Sequence, residues 1–297
     1  MKKAVVVFSG GIDSVSTCAY LKPKYEMYGI SFLYGQKANQ EIKKAKRFAK
    51  ILGLKKHKIV NIDFMKELYG NTNVLTSSKK NIPDKFDYSI VVPIRNGIFL
   101  SIATAWAFSI NASLVAYGAH TGDKNYPDCR PAFSKKIESS FNQGEIDGIK
   151  SGIRKKIEIW TPYKVKLSKK LLLKKGYDVL GDNIFNTWSC YSNGKVQCGK
   201  CESCNNRKAA FLEANIEDKT VYRYNDRFPR IGFFRMNPRM IRYQPINTPP
   251  TIPQYIQFSN PVSDIFSSDG AQSDFHDSCS QIRRFFSPTI SSTIGII

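Results

Sequence analysis

A short turn near the start of the chain constrains its fold more than any other feature. The apolar run Ala4-Val5-Val6-Val7-Phe8 ends at the turn Ser9-Gly10-Gly11-Ile12-Asp13-Ser14, and a helical pattern follows from Ser14 to Leu21. A continuous β-branched run of this length predicts a buried parallel strand, here followed by a tight turn and a helix N-terminus. Such a junction directs several backbone N–H groups and the positive end of a helix dipole at one point. The sequence therefore predicts a binding site for an oligophosphate.

The residues of this turn suit phosphate binding in different ways. Gly10 and Gly11 allow the backbone to approach the ligand, and the hydroxyls of Ser9 and Ser14 can donate to further phosphate oxygens. The Asp13 carboxylate would repel a phosphate, so we expect it to act by holding Mg²⁺. The turn lacks the Gly-Lys-Ser/Thr of a Walker loop, which disfavours hydrolysis of a γ-phosphate. It resembles the pyrophosphate loop of the ATP-pyrophosphatase superfamily, whose members grip the β and γ phosphates of ATP and transfer AMP; an ordinary glycine turn is the alternative.

Composition bounds the class of protein. The 297 residues suffice for one large domain or two small ones. No run approaches the roughly 18 apolar residues of a membrane span, and no signal segment precedes the first predicted strand, so we expect a soluble, cytoplasmic protein without a membrane partner. The net charge of +21 favours polyanionic partners such as ATP, an acidic substrate or nucleic acid, although a general enrichment in lysine explains it equally well.

The composition changes sharply near Tyr224. All 32 lysines lie at or before Lys219, whereas residues 225–297 carry seven arginines, ten serines and eight of the 14 prolines. This last segment shows no sustained helical or strand periodicity. We therefore predict three parts, which are a nucleotide-binding α/β domain over residues 1–185, a four-cysteine zinc-binding subdomain over residues 186–224, and an extension of unknown role over residues 225–297.

Strand and helix patterns alternate along the first part of the chain. We expect helices, each with an apolar face or an apolar surface all round, over residues 40–52, 97–110, 132–141 and 166–175. We expect strands over residues 28–34, 57–62, 113–116 and 157–160. This alternation predicts a right-handed, doubly wound parallel sheet, whose ligands bind beyond the carboxyl ends of the strands. The polar, turn-rich residues 69–90 are expected to form a mobile loop near that site.

Two further segments carry ionisable residues toward the same edge of the sheet. Arg95 and Asn96 follow a proline turn and begin an apolar helix, where they either face a ligand or form a cap with a surface charge. Asp128 and Arg130 lie in a rigid loop bracketed by two prolines, and they are candidate site residues unless the carboxylate only caps a helix beside an ion pair. His120 precedes this loop, and a structural hydrogen bond is a more common role for a lone histidine than catalysis.

Four cysteines occur at metal-ligand spacing. Seven, two and two residues separate them, and Gly199 permits a tight turn between the second and the third: Cys190, Cys198, Cys201 and Cys204. Four thiolates in an intracellular chain favour a single tetrahedral Zn²⁺, and a complete shell of cysteines leaves no position for a substrate water. The predicted role is therefore structural, with an iron–sulfur cluster as the alternative.

Together these segments resemble one family, the 7-cyano-7-deazaguanine synthases. The matching stretches follow the expected order over residues 3–224 and are Phe8–Ser14, Tyr34–Lys37 with Glu41, Arg95–Asn96 with Phe99–Ser101, Gly118–Pro131, Thr187–Tyr191, and Cys198–Cys204 with Arg207 and Phe211. The segments Tyr126–Pro131 and Trp188–Tyr191 are the most specific to this family. The resemblance implies an adenine nucleotide α hydrolase-like fold, a homodimer, and a role in the biosynthesis of queuosine or archaeosine precursors.

The activity that the resemblance implies is the ATP-dependent conversion of 7-carboxy-7-deazaguanine and ammonia to 7-cyano-7-deazaguanine. A carboxylate is a poor electrophile, so adenylation first turns one of its oxygens into a leaving group. Ammonia then displaces AMP to give an amide, and a second activation removes the amide oxygen as AMP and leaves the nitrile. The implied catalytic residues are Asp13, Arg95, Asp128 and Arg130, and the implied ATP-binding residues are Phe8, Ser9, Gly10, Gly11, Ile12, Asp13, Ser14 and Lys37, with Mg²⁺ and the loop stabilising the departing pyrophosphate.

The chain departs from the family pattern at two positions near the predicted site. Ala38 stands where the family usually has His, and Ile94 stands where a Gly usually precedes Arg95, which allows altered kinetics or a shifted substrate. Two other functions are compatible with the sequence. One is a pyrophosphate-loop enzyme that modifies a base within tRNA, which the charge of +21 favours. The other, more distant, is a non-catalytic zinc-ribbon protein that binds nucleic acid.

Overall fold

The computed structural model describes residues 1–77 and 79–224, and a sheet of five parallel strands lies at its centre. The strands are β1 (Lys2–Val7), β2 (Tyr25–Leu33), β3 (Lys56–Asn61), β4 (Leu114–Ala116) and β5 (Glu158–Trp160). Their order is β3-β2-β1-β4-β5, so the chain first builds outward from β1 on one side and then on the other. The predicted doubly wound parallel sheet is confirmed.

Eight helices connect and cover the strands within the described ranges. They are α1 (Ile12–Leu21), α2 (Gln40–Ile51), α3 (Phe64–Tyr69), α4 (Arg95–Ser109), α5 (Pro131–Gly144), α6 (Ile146–Lys150), α7 (Lys169–Leu180) and α8 (Glu202–Glu213). Short 3-10 turns span Tyr88–Ile90, Pro127–Cys129, Pro162–Val165 and Gly181–Asn186. Helices α3 and α6 are too short for periodicity to show, and α8 begins inside the cysteine cluster.

Side chains alternate along β1, so the sheet has an apolar layer on each face. Ala4 and Val6 belong to a core that includes residues of α1, α2, α7 and α8, whereas Val5 belongs to a second core built mainly with α4. Phe48 of α2 and Phe211 of α8 are fully buried in the first core. The buried cysteines form a separate cluster with Trp188, and α8, which begins in that cluster, carries Phe211 into the core of the sheet.

Helix α7 begins three residues later than the predicted start at residue 166. Lys166 has a φ of +59°, a left-handed conformation that an α-helix cannot include. Ser168 then caps the helix, because its Oγ accepts a hydrogen bond from the Leu171 N–H at 3.4 Å. The shift makes Lys169 the first residue of the helix, at the end that meets the site.

Helix α4 is buried over most of its surface, as its apolar sequence predicts, but Ser101, Ala105 and Ser109 form an exposed stripe at a spacing of four residues. Within the described ranges, one stretch of 22 residues, Tyr88–Ser109, is long and apolar enough to cross a membrane by length and composition, with a mean hydropathy of 1.4. A core helix passes the same test, and 50% of the 18-residue window that passes it is buried inside the protein. Since α4 packs against β1 and β4, we assign it to the core.

The predicted loop of residues 69–90 contains a small apolar cluster. Val74 and Leu75 are buried against Ile90 and Val92, and the Leu75 carbonyl accepts a hydrogen bond from the Lys37 N–H at 3.0 Å. The mobility of this loop stays a prediction, as do the domain boundaries after residues 185 and 224. The extension of residues 225–297 lies outside the described residues.

Candidate active site

The turn between β1 and α1 lies at the carboxyl edge of the sheet and is held by its own serines. Ser9 Oγ lies 3.1 Å from Ser14 Oγ and accepts the Gly11 N–H at 3.2 Å. Ser14 Oγ donates to the Gly11 carbonyl at 3.1 Å. The first N–H groups of an α-helix have no partners within the helix. Helix α1 begins at Ile12, and no side chain of the N-cap residue accepts from these groups. N–H groups of this kind can bind an anion, and their contact with phosphate stays a prediction.

Two glycines near the turn are required by close packing. Gly10 has a φ of +79°, and a Cβ at this position would lie 2.4 Å from the Ala45 nitrogen of α2. A Cβ on Gly118, which follows β4, would lie 3.0 Å from the carbonyl carbon of Asp13. Gly10 therefore lets α2 approach the turn, and Gly118 brings the end of β4 against the start of α1.

The turn opens into a cavity of about 250 Å³. Its wall combines the ends of β1, β2 and β4 with the first residues of α4, α7 and α8 and with the segment that precedes the first metal-site cysteine. Most of the residues expected to bind ATP line this cavity: Phe8, Ser9, Gly11, Ile12, Asp13 and Ser14. Arg95, one of the two arginines expected to be catalytic, lines it too.

Asp128 caps a helix in this structure. Its carboxylate oxygens accept hydrogen bonds from the backbone N–H of Asn96 at 3.0 Å and from the Asn96 side-chain amide at 3.1 Å. Its own carbonyl accepts a hydrogen bond from the Tyr117 hydroxyl at 3.0 Å. Asp128 thereby fixes the first turn of α4, where Arg95 lies, while a direct contact between Asp128 and substrate stays a prediction.

Asp128 is not among the residues that line the cavity, and neither are three other residues predicted to act in the site: Gly10, Lys37 and Arg130. The Lys37 ammonium donates to the Lys80 carbonyl at 2.6 Å, and burial lowers the pKa of Lys37 from its usual value. The exposed Arg130 guanidinium donates to the Lys124 carbonyl at 2.9 Å. Their predicted roles toward phosphate and substrate stay predictions.

Lys169 is a site residue that the sequence analysis missed. Its ammonium lies 2.9 Å from Asp13 Oδ2, and His120 Nε2 lies 3.6 Å from Asp13 Oδ1. Burial acts to raise the pKa of Asp13, but the charges of Lys169 and then His120 hold that pKa below its usual value. Asp13 is therefore an ionised carboxylate at neutral pH, and Lys169 places a fixed positive charge beside the phosphate turn.

His120 is almost fully buried, with 4% of its surface exposed, and is held by local hydrogen bonds. Its Nδ1 accepts the Gly122 N–H at 3.1 Å, and its own backbone N–H donates to Asp123 Oδ2 at 2.9 Å. The ring lies between two carboxylates, with Nδ1 3.4 Å from Asp123 Oδ2 and Nε2 facing Asp13. These contacts orient the loop after β4, which agrees with the structural role expected of a lone histidine.

Arg95 lies among aromatic rings in another part of the cavity. Its Nη1 donates to the Tyr34 hydroxyl at 3.3 Å, and its guanidinium carbon lies 5.8 Å and 5.9 Å from the ring centres of Tyr34 and Phe99. Arg95 Nε is buried without a hydrogen-bond partner among the described residues, and so is the hydroxyl of Tyr126. Buried polar atoms are normally paired, and among the unpartnered buried atoms of the described residues these two belong to residues that line the cavity.

Glu41 also lines the cavity, although the sequence analysis used it only as part of the family resemblance. Burial raises the pKa of Glu41 to about 7, even though the charge of Arg95 acts in the opposite direction. Near neutral pH this side chain can therefore either donate or accept a hydrogen bond. No short sequence pattern marks it, because its position depends on α2 packing against the phosphate turn.

The four predicted metal ligands come together. All four sulfur atoms lie within 4.8 Å of one another, with a distance of 3.8 Å between the Cys198 and Cys204 sulfurs and 4.0 Å between those of Cys190 and Cys201. A tetrahedral Zn²⁺ with Zn–S bonds of about 2.3 Å requires sulfur atoms about 3.8 Å apart. Two backbone N–H groups also donate to the Cys198 sulfur, at 3.3 Å and 3.4 Å. The cluster can hold one metal ion.

The cysteine segment is fixed directly to the phosphate turn. The Trp188 N–H donates to the Gly10 carbonyl at 3.1 Å. The fully buried Arg207 of α8 donates to Thr187 Oγ1 at 2.8 Å and to Ser189 Oγ at 3.1 Å, on either side of Trp188. Arg207 thus positions one wall of the cavity, a role that its place among polar residues of the sequence did not reveal.

A phosphate-binding turn between the first strand and helix of a doubly wound parallel sheet defines a nucleotide-binding α/β protein of the pyrophosphate-loop class. Comparison with known proteins then gives the family. The family profile described as "Queuosine biosynthesis protein QueC" matches residues 3–215. The chain belongs to this family, which confirms the resemblance found in the sequence.

The match covers nearly the whole length of the curated relatives. The 7-cyano-7-deazaguanine synthase of Caldicellulosiruptor bescii is 38% identical over 227 residues, covering 74% of this chain and 97% of the relative. That of Ruthia magnifica is 40% identical over 235 residues, covering 74% and 96%. Among solved structures, NMN synthetase from Francisella tularensis has a TM-score of 0.39 at 15% identity and covers 73% of this chain and 78% of its own, which is too low a similarity to contribute to the assignment.

Proposed function

We propose that this chain is an ATP-dependent ligase that converts 7-carboxy-7-deazaguanine and ammonia to 7-cyano-7-deazaguanine, a precursor in queuosine biosynthesis. Membership of the QueC family and the names of its curated relatives support this reaction. The observation that carries it is the single cavity that contains both the phosphate turn with Lys169 and the guanidinium of Arg95. One cavity of this kind can bind the phosphates of ATP and a substrate carboxylate together.

The phosphate turn and Lys169 are suited to activating ATP. The first N–H groups of α1 donate to phosphate oxygens, and the hydroxyls of Ser9 and Ser14 can rotate from their contacts within the turn to do the same. Lys169 stabilises the charge that develops on the departing pyrophosphate. The ionised Asp13 carboxylate offers the hard oxygen ligand that Mg²⁺ prefers, and the metal would further neutralise the phosphates.

Arg95 is suited to orienting the substrate carboxylate. A guanidinium binds a carboxylate through two parallel hydrogen bonds, and Arg95 Nε is buried with no partner of its own. One carboxylate oxygen attacks the α-phosphorus of ATP and releases pyrophosphate, and ammonia then displaces AMP to form the amide. A second ATP adenylates the amide oxygen, which leaves as AMP while two protons are lost from nitrogen. Both carboxylate oxygens therefore end on AMP.

The four cysteines would hold one Zn²⁺ with a structural role. Four thiolates complete a tetrahedral shell, and the sulfur distances fit Zn–S bonds. The metal would hold the segment that carries Trp188 against the phosphate turn. A cytoplasmic location and a homodimer complete the proposal, and both are supported by the family resemblance alone.

The proposal is tested by incubating the full chain with ATP, Mg²⁺, ammonium and 7-carboxy-7-deazaguanine and following all products by mass spectrometry. We expect the nitrile and two AMP for each nitrile, with the amide as an intermediate. Release of ADP in place of AMP would contradict the mechanism. Salt-sensitive tRNA binding without turnover of the free base would replace the proposal with modification of a base within tRNA.

A further inference from the structure

One buried carboxylate in the cavity takes no part in the steps above. Glu202 lines the cavity and is 7% exposed. It is the first residue of α8 and directly follows Cys201, so the metal site fixes its backbone. Over the described ranges, no lysine, arginine or histidine forms an ion pair with it. A carboxylate that is buried without a cation needs hydrogen-bond donors.

The protein supplies two of these donors. The Tyr191 hydroxyl donates to Glu202 Oε2 at 3.1 Å, and the Asn206 side-chain amide donates to Oε1 at 2.6 Å. Both partners also line the cavity, and they hold the carboxylate in one orientation. A carboxylate accepts about four hydrogen bonds, so each oxygen keeps one free acceptor position. Two neighbouring acceptors with fixed spacing match a ligand that presents two parallel N–H donors.

The surroundings of Glu202 indicate how such a ligand lies. Seven buried side-chain atoms of the described residues lack a hydrogen-bond partner, and two of them, the Tyr126 hydroxyl and Arg95 Nε, belong to residues that line the same cavity as Tyr191 and Glu202. Arg95 attracts a carboxylate, whereas Glu202 repels one. A substrate with a carboxylate at one end and N–H donors at the other is therefore bound in a single direction, with its carboxylate at Arg95.

We propose that Glu202 binds the N1–H and 2-amino groups of the deazaguanine ring and thereby selects a 2-aminopyrimidinone base. This inference rests on the proposed function and names the residue that determines its substrate. The guanine-type edge carries two adjacent N–H donors, which a carboxylate accepts together. A base without the 2-amino group leaves one buried acceptor unpaired, and sites built around such groups reject the incomplete ligand strongly.

The test compares 7-carboxy-7-deazaguanine with 7-carboxy-7-deazahypoxanthine, which lacks the 2-amino group, on the full chain and on Glu202→Gln. In the unaltered protein we expect kcat/KM to fall about 10- to 100-fold for the analogue. In Glu202→Gln we expect a similar rise in KM for the natural base, little further loss for the analogue, and an unchanged KM for ATP. Glu213→Gln is the matched control, because Glu213 is exposed at the far end of α8 and should change neither value.

The possible failures are separable. If the unaltered protein does not form the nitrile, the proposed function fails and this inference falls with it. If it forms the nitrile and uses both bases equally well, only the assignment of Glu202 is overturned, and this result needs no variant to fold. The assignment is also overturned if Glu202→Gln retains its metal and its melting temperature but discriminates between the bases as the unaltered protein does.

Discussion

Asp13 and Lys169 place opposite charges 2.9 Å apart beside the phosphate turn. The pair serves two purposes in the proposed reaction, since the carboxylate is kept ionised for a metal and the ammonium is held where pyrophosphate leaves. Lys169 is the first residue of α7, so the helix start determines where its side chain lies. A shift of one residue would turn it away from the cavity.

Replacing Lys169 by methionine removes this positive charge while keeping most of the side-chain volume. We expect kcat/KM for ATP to fall about 100-fold, because a fixed group that stabilises transition-state charge is commonly worth this much. Steady-state kinetics with ATP as the varied substrate measure the effect. Lys170→Met is the control, since Lys170 is the adjacent exposed residue and should leave the rate unchanged. Equal effects of both substitutions would show that general charge, not position, matters.

Ile94 adopts a conformation that disfavours its own residue type. It lies before Arg95 with a φ of +53° and is 61% exposed, so a β-branched side chain occupies the left-handed region with little burial in return. The glycine that the family usually has at this position would relieve the strain. The presence of isoleucine instead of glycine at position 94 therefore affects the stability of the turn that presents Arg95.

We expect Ile94→Gly to raise the free energy of unfolding by about 0.5–1 kcal/mol, which is the strain relieved less the entropy that glycine loses on folding. Urea denaturation measures this change. The control is Ile153→Gly, because Ile153 is 66% exposed but lacks a positive φ, and there the same substitution should destabilise the protein. Destabilisation by Ile94→Gly would show that its backbone is not strained.

At the scale of elements, the cysteine segment is a part of the site. Trp188 is bonded to the phosphate turn, Arg207 holds the residues on both sides of it, and Phe211 enters the core beneath β1. The cysteine segment therefore contributes both to a cavity wall and to a helix of the core. Loss of the metal should affect the whole domain.

We expect Cys201→Ser to lose the metal and to unfold cooperatively at a lower temperature, because metal binding supplies folding free energy when four thiolates must be held together. Elemental analysis and a thermal melt followed by circular dichroism measure the two effects. Cys18→Ser is the control, since Cys18 is buried in the core away from the cluster and its loss should leave the metal bound. Metal-free Cys201→Ser protein that melts like the unaltered chain would contradict a structural role.

Strands, long helices, the phosphate turn and the four cysteines were predictable because local patterns encode them. Lys169 was missed because the helix was placed three residues too early, and the cause, the left-handed Lys166, leaves no periodic signal. Glu41 and Glu202 were missed as site residues because only tertiary packing carries them into the cavity. Asp128 was recognised as important, but the sequence left open whether it caps a helix or binds a ligand.

At the scale of the whole molecule, the family match ends before the composition changes. The match to the relative from Caldicellulosiruptor bescii includes 97% of that protein but only 74% of this chain. We expect a chain truncated after Tyr224 to keep kcat and both KM values within about twofold, because every contact described in the cavity lies before that residue. Soluble truncated protein without turnover would show that residues 225–297 contribute to the site or to assembly.

The central claim is that the phosphate turn activates a carboxylate by adenylation, and the fate of the carboxylate oxygens tests it most directly. The substrate is labelled with ¹⁸O at both carboxylate oxygens and turned over by the full chain, and the released nucleotides are analysed by mass spectrometry. We predict that both labels appear in AMP, one in each of two molecules for every nitrile formed. Labelled inorganic phosphate with unlabelled AMP would contradict the claim.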